Sequence, residues 1–286
     1  MPELPEVETI KLGLRRLIVN NKIDKVEVNL SKQIKNPLKY FLKNAVGVKI
    51  KQIKRRAKNL LLELSNGYFL VFHLKMTGQL TYRSKKGSLV GGGHPIKQDL
   101  KTLPNKYSHV IFTFENGAKL FFNDTRQFGW VKLVNKKELE QMLQKIGPEL
   151  LDESLTVDKF GALLAKKKTA IKPLLMEQSF VAGIGNIYAT EACFCAGIGP
   201  QRPANSLNVS ETKKLLVCLK KILKLAIAKK GTSVVDYVDA LGEQGKMSNF
   251  LKVYGRAGQP CLKCGAALRV MKQAQRATVF CAQCQK

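Results

Sequence analysis

The sequence is poor in acidic residues and has no long apolar run. Its 286 residues include 21 Asp and Glu against 49 Lys and Arg, which gives a formal net charge of +28. This shortage of acids favours a polyanionic partner, most plausibly nucleic acid, over a merely lysine-rich protein without one. Apolar stretches such as YFLVFHL are far too short to cross a bilayer, so a membrane-spanning protein is excluded.

The N-terminal residues do not have the pattern of a secretory signal. The chain opens with MPELPEVET, which is acidic where a signal peptide is basic, and no apolar core follows. We therefore expect an intracellular, cytoplasmic protein in which disulfides are unlikely, and the seven cysteines need another explanation. Three of them lie in apolar helical patterns and are interpreted as small core residues: Cys193, Cys195 and Cys218.

The other four cysteines lie close together near the C-terminus. They form two C-x2-C pairs, Cys261 with Cys264 and Cys281 with Cys284, which are separated by 16 residues. Zinc takes four soft ligands in a tetrahedron, and two such pairs on a hairpin supply them. Because four protein ligands leave no open coordination position, the pattern predicts one Zn2+ ion with a structural role.

The first half of the chain has the pattern of a β-rich domain behind one opening helix. Apolar residues at helical spacing from Val7 to Leu17 predict the helix. Asn-Gly pairs at 66–67 and 116–117 each separate two apolar runs, which predicts two β-hairpins. We expect a β-sandwich or a flattened barrel with the helix against it, and a mobile Gly/Lys-rich loop at 84–106.

The second half of the chain is predicted to be helical. A helix that ends at a Gly-Pro break indicates a linker near residues 136–149. Asn208, with Glu211 three residues further on, predicts a capping box at the start of a long helix. The turn at Gly183 and Gly185 has two interpretations, a plain helix connection or a phosphate site, and the lysines before it favour the phosphate site.

Eight motifs then carry a resemblance over the whole chain. In order they are MPELPEVET, RRAKNLLLEL, HLKMTGQL, DTRQFG, KKKTAIKP, GIGNIYATE, VYGRAGQPCLKCG and QRATVFCAQCQK. Together they resemble the bacterial formamidopyrimidine-DNA glycosylases. The resemblance implies an α+β fold with an N-terminal β-sandwich domain at 1–135, a linker at 136–149, a helix-two-turn-helix domain at 150–250 and a four-cysteine zinc finger at 251–286.

The same resemblance implies an activity and a partner. The activity is the excision of oxidised purines, chiefly 8-oxoguanine and formamidopyrimidines, followed by cleavage of the DNA strand in base-excision repair. The implied partner is double-stranded DNA that contains oxidised purines or abasic sites. We expect a monomer that makes no use of a membrane and that associates with the nucleoid when it is bound to DNA.

The resemblance assigns the chemistry to four residues: Pro2, Glu3, Lys58 and Arg276. Removal of Met1 would free the Pro2 amine, and an α-amino group with a pKa of about 7.7–8.0 is partly neutral and nucleophilic near pH 7. The resemblance makes Glu3 the acid for the sugar ring oxygen and places Lys58 near the scissile phosphate. It also places Arg276 at the δ-elimination, where a permanently charged guanidinium favours phosphate clamping over proton donation.

The resemblance also implies contacts with DNA and with the damaged base. Met76, Arg126 and Phe128 match a wedge that fills the gap left by a flipped base. Other predicted DNA-binding residues share only a match to the family's motifs: His73, Tyr107, His109, Lys168, Lys172 and Asn186. Glu6 and Glu191, together with the loop at 231–250, are expected to face the flipped base.

Two departures from the family pattern and two rival classes remain. Lys75 stands where the family usually has glycine, and Gln127 replaces a common second arginine.

Endonuclease VIII-like glycosylases of oxidised pyrimidines share the N-terminal proline, but they usually open PEGPE rather than PELPE. A non-catalytic zinc-finger DNA-binding protein would have no need for a free amine at Pro2.

Overall fold

The structure is a computed structural model, which describes residues 1–93, 103–232 and 245–286. These residues form two compact units, one made of 1–144 and the described part of 229–246, the other of 145–228 and 247–286. Within the described ranges, no helix is long and apolar enough to span a membrane. The domain boundaries expected at residues 135, 149 and 250 stay a prediction.

The described residues of the first unit include three α-helices and nine strands. The helices are α1 (Leu4–Ile18), α2 (Leu38–Ala45) and α3 (Lys136–Gln144). The strands are β1 (Ile23–Val28), β2 (Ile50–Arg56), β3 (Asn59–Leu64), β4 (Phe69–His73), β5 (Gly78–Arg83), β6 (Leu89–Gly93), β7 (Ser108–Phe114), β8 (Lys119–Asp124) and β9 (Trp130–Val134). They form one sheet in the order β1-β7-β8-β5-β6 and a second in the order β2-β3-β4-β9.

The core of this unit lies between the two sheets. The ring of Phe72, in the second sheet, packs edge-on against Phe112 and Phe122 of the first, at centroid distances of 5.9 and 5.8 Å. Helix α1 adds Ile10 and Leu14, both fully buried, to the same apolar cluster. The predicted β-sandwich with an opening helix is therefore confirmed, and the two separate sheets decide against a barrel.

The predicted turns of this unit are mostly found. Gly67 and Gly117 adopt φ angles of 84° and 79° between paired strands, as the two Asn-Gly hairpins require. The prediction of a loop over 84–106 is wrong for Leu89–Gly93, which form edge strand β6. Leu89 and Val90 supply its apolar contacts, so three consecutive glycines did not prevent pairing. Residues 94–102 lie outside the described residues.

The second unit is helical and ends in a two-stranded hairpin. Its helices are α4 (Val157–Ala165), α5 (Ile171–Met176), α6 (Asn186–Ala196) and α7 (Val209–Ala228). The hairpin consists of β10 (Arg269–Gln273) and β11 (Arg276–Phe280). The predicted capping box before α7 is confirmed, because Asn208 and Glu211 each accept the backbone N–H of the other at 2.9 Å.

The cysteines outside the C-terminal cluster do not all behave as predicted. Cys193 is a fully buried core residue as expected, and burial raises the pKa of its thiol to about 12. Cys218 is also buried in the core, whereas the prediction of a core residue is wrong for the exposed Cys195. The expectation that disulfides are unlikely is wrong as well, because the structure joins Cys195 and Cys218 in a disulfide between α6 and α7. These helices pack side by side and bring the two Cα atoms to 5.9 Å, which lies within bridging range.

Candidate functional site

The residues at the start of α1 are buried and held by Glu6. Pro2 is buried, and Glu3 and Glu6 are each only 3% exposed. The Glu6 carboxylate accepts the backbone N–H of Glu3 at 2.8 Å and that of Thr232 at 2.9 Å. Glu6 therefore fixes the N-terminal residues to Thr232. These contacts give Glu6 a positioning role, and its predicted contact with a flipped base stays a prediction.

A second contact joins α1 to the turn that carries Lys58. Arg55, at the end of β2, donates to the Glu8 carboxylate at 2.8 Å and to the carbonyl oxygen of Ala57 at 2.9 Å. Lys58 follows in the turn between β2 and β3 and is only 4% exposed. Lys58, predicted to be catalytic, is therefore buried rather than on an open surface. Arg55 connects the turn of Lys58 to helix α1, which follows Pro2 and Glu3.

His73 lies at the end of β4, opposite Asn59 in the sheet register. Burial, with further contributions from the charges of Lys75 and Lys58, lowers the pKa of His73 to about 3. Its Nδ1 accepts the backbone N–H of Lys75 at 3.0 Å, so the proton of the neutral ring is on Nε2. His73 is therefore uncharged near pH 7 and can take part in DNA binding only as a neutral donor.

The residues predicted to form a wedge lie in two turns of the first unit. Met76 is half-buried in the turn between β4 and β5, whereas Arg126 and Phe128 are exposed in the loop between β8 and β9. The Arg126 guanidinium lies 4.9 Å from the centroid of the Phe128 ring. A cation stacked on an exposed ring forms a planar, polarised tip of the kind that can enter a base stack.

Each of the two turns contains a non-glycine residue in the left-handed region. Lys75 has a φ of 51° and Gln127 a φ of 58°. Glycine adopts this conformation without the steric conflict of a Cβ atom. The positive φ explains why glycine is the usual residue at the position of Lys75.

A buried carboxylate that the sequence analysis did not single out connects these turns. Asp124 is fully buried at the end of β8. Its carboxylate accepts the hydroxyl of Thr77, the N–H groups of Arg126 and Gly129 at 3.2 and 2.6 Å, and the amide of Gln33 at 3.4 Å. We call these five residues the Asp124 cluster. Its one sequence signal is an acid inside the DTRQFG motif of an acid-poor chain.

The looser matches, Tyr107 and His109, lie beside this cluster. His109 is only 4% exposed, and its Nε2 lies 2.8 Å from the backbone oxygen of Asp124. The backbone oxygen of Tyr107 accepts the N–H of Asp124 at 3.1 Å. These contacts support a structural role for both residues, and burial gives no support to a direct contact between His109 and DNA.

In the second unit, a buried lysine connects α5, the start of α6 and the finger hairpin. The Lys172 ammonium donates to Asn186 Oδ1 and, at 2.8 Å, to Thr278 Oγ1, and Lys172 is 0% exposed. Asn186 in turn donates to the carbonyl oxygen of Ala277 at 3.2 Å. We call Lys172, Asn186 and Thr278 the Lys172 cluster. Direct phosphate contact by Lys172 finds no support here, whereas Lys168 is exposed and open to it.

Two further predicted residues differ in their surroundings. Glu191, on α6, is only 4% exposed, and its carboxylate accepts three consecutive backbone N–H groups, those of Lys252, Val253 and Tyr254, at 2.8–2.9 Å. Its contacts are structural and give no support to a contact with the flipped base. Arg276 is exposed beside the tight turn of the finger hairpin, where a phosphate can reach its guanidinium.

The four cysteines of the C-terminal cluster come together as the spacing predicts. The Sγ atoms of Cys261, Cys264, Cys281 and Cys284 all lie within 4.8 Å of one another. Four sulfurs at about 2.3 Å from a tetrahedral zinc ion lie about 3.8 Å apart, so the observed separations of 3.5 and 4.0 Å across the two pairs fit that ion. These cysteines would hold a structural zinc that closes the finger.

Comparison with known families matches successive parts of the chain. Residues 1–131 match the formamidopyrimidine-DNA glycosylase N-terminal domain, 146–237 the formamidopyrimidine-DNA glycosylase H2TH domain, and 258–286 the zinc finger found in FPG and IleRS. The formamidopyrimidine-DNA glycosylase of Desulfitobacterium hafniense is 41% identical over 288 residues and is covered completely, as is this chain. That of Lactiplantibacillus plantarum is 41% identical over 283 residues, or 98% of each chain.

Solved structures of similar proteins agree with these matches. A complex of wild-type Lactococcus lactis Fpg with DNA containing N7-benzyl-Fapy-dG has a TM-score of 0.88 at 34% identity, over 100% of both chains. A complex of Lactococcus lactis Fpg with DNA containing an abasic site has the same TM-score and identity over 99% of each chain. The family's N-terminal domain, H2TH domain and zinc finger therefore follow one another along this chain as the β-sandwich, the helical module and the four-cysteine finger. This chain belongs to the formamidopyrimidine-DNA glycosylases.

Proposed function

We propose that this protein is a bifunctional DNA glycosylase and abasic-site lyase that removes oxidised purines from duplex DNA. The observation that carries the proposal is the buried start of α1, where Glu6 holds the residues next to Pro2 in place. Arg55 connects the same helix to the turn of Lys58. A merely DNA-binding protein has no need to fix its second residue in this way.

Pro2 supplies the nucleophile once Met1 has been removed. Its amine attacks the sugar C1′ and expels the damaged base, forming a protein–DNA iminium ion. Because proline is a secondary amine, the iminium nitrogen carries no proton to lose and stays positive. It withdraws electrons from C1′ and so makes the C2′ proton acidic, which permits β-elimination and then δ-elimination of the two phosphates.

Other residues support these steps. Glu3, beside the nucleophile, protonates the ring oxygen as the sugar opens. Lys58 holds the phosphate at the reacting nucleotide, and exposed Arg276 clamps a phosphate and stabilises developing charge during δ-elimination. One structural zinc ion stabilises the finger that carries Arg276. The large positive charge of the chain gathers duplex DNA without regard to sequence.

Borohydride trapping on abasic DNA tests the proposal directly. Reduction of the iminium ion should give a covalent protein–DNA adduct with the native protein, and Pro2→Gly should keep part of it because a primary amine still forms an imine. A version with extra residues before Pro2 should neither trap nor cleave. Normal cleavage by that extended protein would rule out Pro2 as the nucleophile, and absence of any adduct would favour a non-catalytic DNA-binding protein.

The lesion class needs its own comparison. Excision of 8-oxoguanine should exceed excision of thymine glycol in otherwise identical duplexes. The reverse order would favour the endonuclease VIII-like class instead.

Arg126 reads the base that the flipped lesion leaves behind. Cytosine presents two adjacent acceptors, N3 and O2, to the two donors of a guanidinium, whereas adenine presents one acceptor beside a donor. A bidentate match discriminates by about 1–3 kcal/mol, or roughly five- to 150-fold in favour of cytosine. Single-turnover excision opposite cytosine and opposite adenine should show this preference, and Arg126→Ala should remove it. Equal native rates for the two duplexes would contradict this role.

A further inference from the structure

The Asp124 cluster joins the two turns that carry the proposed wedge. Thr77 directly follows Met76 in one turn, and Arg126 and Gly129 enclose Phe128 in the other. We propose that Asp124 is a positioning residue that couples these turns and thereby sets how well Arg126 discriminates the orphaned base. This inference rests on the proposed function, because it assigns a cause to the base preference of that same site.

The two oxygens of the carboxylate have different partners. Oδ1 accepts the Thr77 hydroxyl and, at 3.2 Å, the N–H of Arg126, whereas Oδ2 accepts the N–H of Gly129 at 2.6 Å. The Thr77 oxygen also accepts the N–H of Arg126, at 3.0 Å. Asp124 Oδ1, the Thr77 hydroxyl and the Arg126 amide thus form a closed ring of hydrogen bonds across the two turns. A shift of either turn disturbs the other.

The absence of a side chain at Gly129 permits its backbone N–H to bond to Asp124 Oδ2. A Cβ atom at this position would lie 2.8 Å from the Phe122 ring and 3.0 Å from Asp124 Oδ2, closer than side chains tolerate. Only glycine therefore allows the backbone to approach the carboxylate this closely. Both ends of the loop, Arg126 and Gly129, are therefore hydrogen-bonded to the carboxylate of Asp124.

The backbone of Asp124 is itself fixed by hydrogen bonds. Its N–H donates to the Tyr107 carbonyl oxygen at 3.1 Å, and its own carbonyl oxygen lies 2.8 Å from His109 Nε2. The residue is fully buried at the end of a central strand. The position of the carboxylate is consequently fixed. The two turns that bond to it include Lys75 and Gln127, whose left-handed backbone conformations should relax when those hydrogen bonds are lost.

A set of threonine substitutions tests the coupling without removing the buried charge. Thr77→Val deletes one hydroxyl of the ring, Thr77→Ser keeps it, and Thr113→Val makes the same change at a buried hydroxyl with no hydrogen-bond partner among the described residues. Single-turnover excision of 8-oxoguanine opposite cytosine and opposite adenine is measured for each variant. Amide hydrogen exchange at Arg126 and Gly129 is measured on the same proteins without DNA.

We expect Thr77→Val to lower the cytosine-over-adenine ratio about three- to tenfold, because the lost hydroxyl both donates to Asp124 and accepts from Arg126. Exchange at Arg126 should become faster in the same variant. Thr77→Ser should restore both values, and Thr113→Val should leave both unchanged. Asp124→Asn, in which an amide can no longer accept on both sides, should lower the ratio further.

The outcomes separate this inference from the proposed function. An unchanged ratio in Thr77→Val overturns the inference, whether or not exchange at Arg126 becomes faster, and so does an equal fall in Thr113→Val. Borohydride trapping of the native protein on abasic DNA tests the proposed function without any change to the Asp124 cluster. If the native protein fails to trap, the proposed function fails, and the exchange measurement still decides whether the Asp124 cluster couples the turns.

Discussion

In each of the two compact units a buried charged side chain supports residues of the predicted DNA-binding set, Asp124 in the first and Lys172 in the second, but the two support them differently. In the first unit the carboxylate of Asp124 holds two turns without regular structure. In the second unit the ammonium of Lys172 connects α5, the first residue of α6 and strand β11. One charge organises loops, and the other organises packed elements.

This difference separates two kinds of dependence. The wedge turns depend on a few hydrogen bonds to one acceptor group, so a small local change should alter their geometry while the sandwich stays intact. The orientation of Asn186 depends on Thr278 and Ala277, and therefore on the finger being folded. Loss of the metal should disturb the second region and leave the first unaffected.

The largest effect should come from removing the zinc. Chelation, or the substitution Cys261→Ser, should unfold the finger, because such a module folds around its ion. The protein would then lose the phosphate contacts predicted for Arg276 and Asn186, and DNA affinity should fall about a hundredfold or more. Titration of labelled abasic duplex against native and zinc-free protein measures this. Unchanged affinity in protein shown to be free of zinc would contradict the assignment.

A smaller effect is expected from Lys172→Met. Methionine fills a similar volume without charge, so the fold should tolerate it, but Asn186 loses a charged donor and DNA affinity should fall about tenfold. The exposed Lys168→Met is the matched control. If Lys168 neutralises one phosphate, its loss should reduce the slope of log affinity against log salt by about 0.9, whereas Lys172→Met should leave that slope unchanged. A reduced slope in Lys172→Met would instead indicate that Lys172 contacts a phosphate directly.

The last effect is on stability rather than on DNA affinity, and it concerns His73, which accepts the backbone N–H of Lys75 in one of the wedge turns. Its folded pKa of about 3 lies below the ordinary value of 6.5, so only the unfolded chain takes up the proton as the pH falls below 6.5. The stability that neutral His73 contributes is complete above that pH and is lost at up to about 1.4 kcal/mol per pH unit below it. Urea unfolding from pH 7.5 to 4.5 should show a steeper decline for the native protein than for His73→Gln. Parallel declines would place the His73 pKa near its ordinary value.

Much of the fold was predictable because its signals are local. Two C-x2-C pairs indicated a zinc site, Asn-Gly pairs indicated hairpins, and helical spacing indicated α1, and each of these patterns needs only neighbouring residues. The strand at Leu89–Gly93 was missed although it pairs with the strand directly before it, β5, because three of its five residues are glycine, which is a poor strand former.

The supporting residues of the site were not predictable in the same way. Lysine is expected at the surface, and its complete burial at position 172 follows only from the tertiary meeting of α5, α6 and β11. Asp124 looked like one polar residue in a turn, since the residues that bond to it lie as far away as Gln33. The link between Cys195 and Cys218 likewise depends on how α6 and α7 pack.

The positive φ angles at Lys75 and Gln127 have a consequence for how this sequence can change over generations. A left-handed backbone disfavours any residue with a Cβ atom by roughly 1–2 kcal/mol, whereas glycine adopts it freely. Selection for stability alone therefore drives both positions toward glycine. Lys75 and Gln127 therefore occupy their turns at a cost in stability that glycine would avoid, and each places a polar side chain in a turn of the proposed wedge.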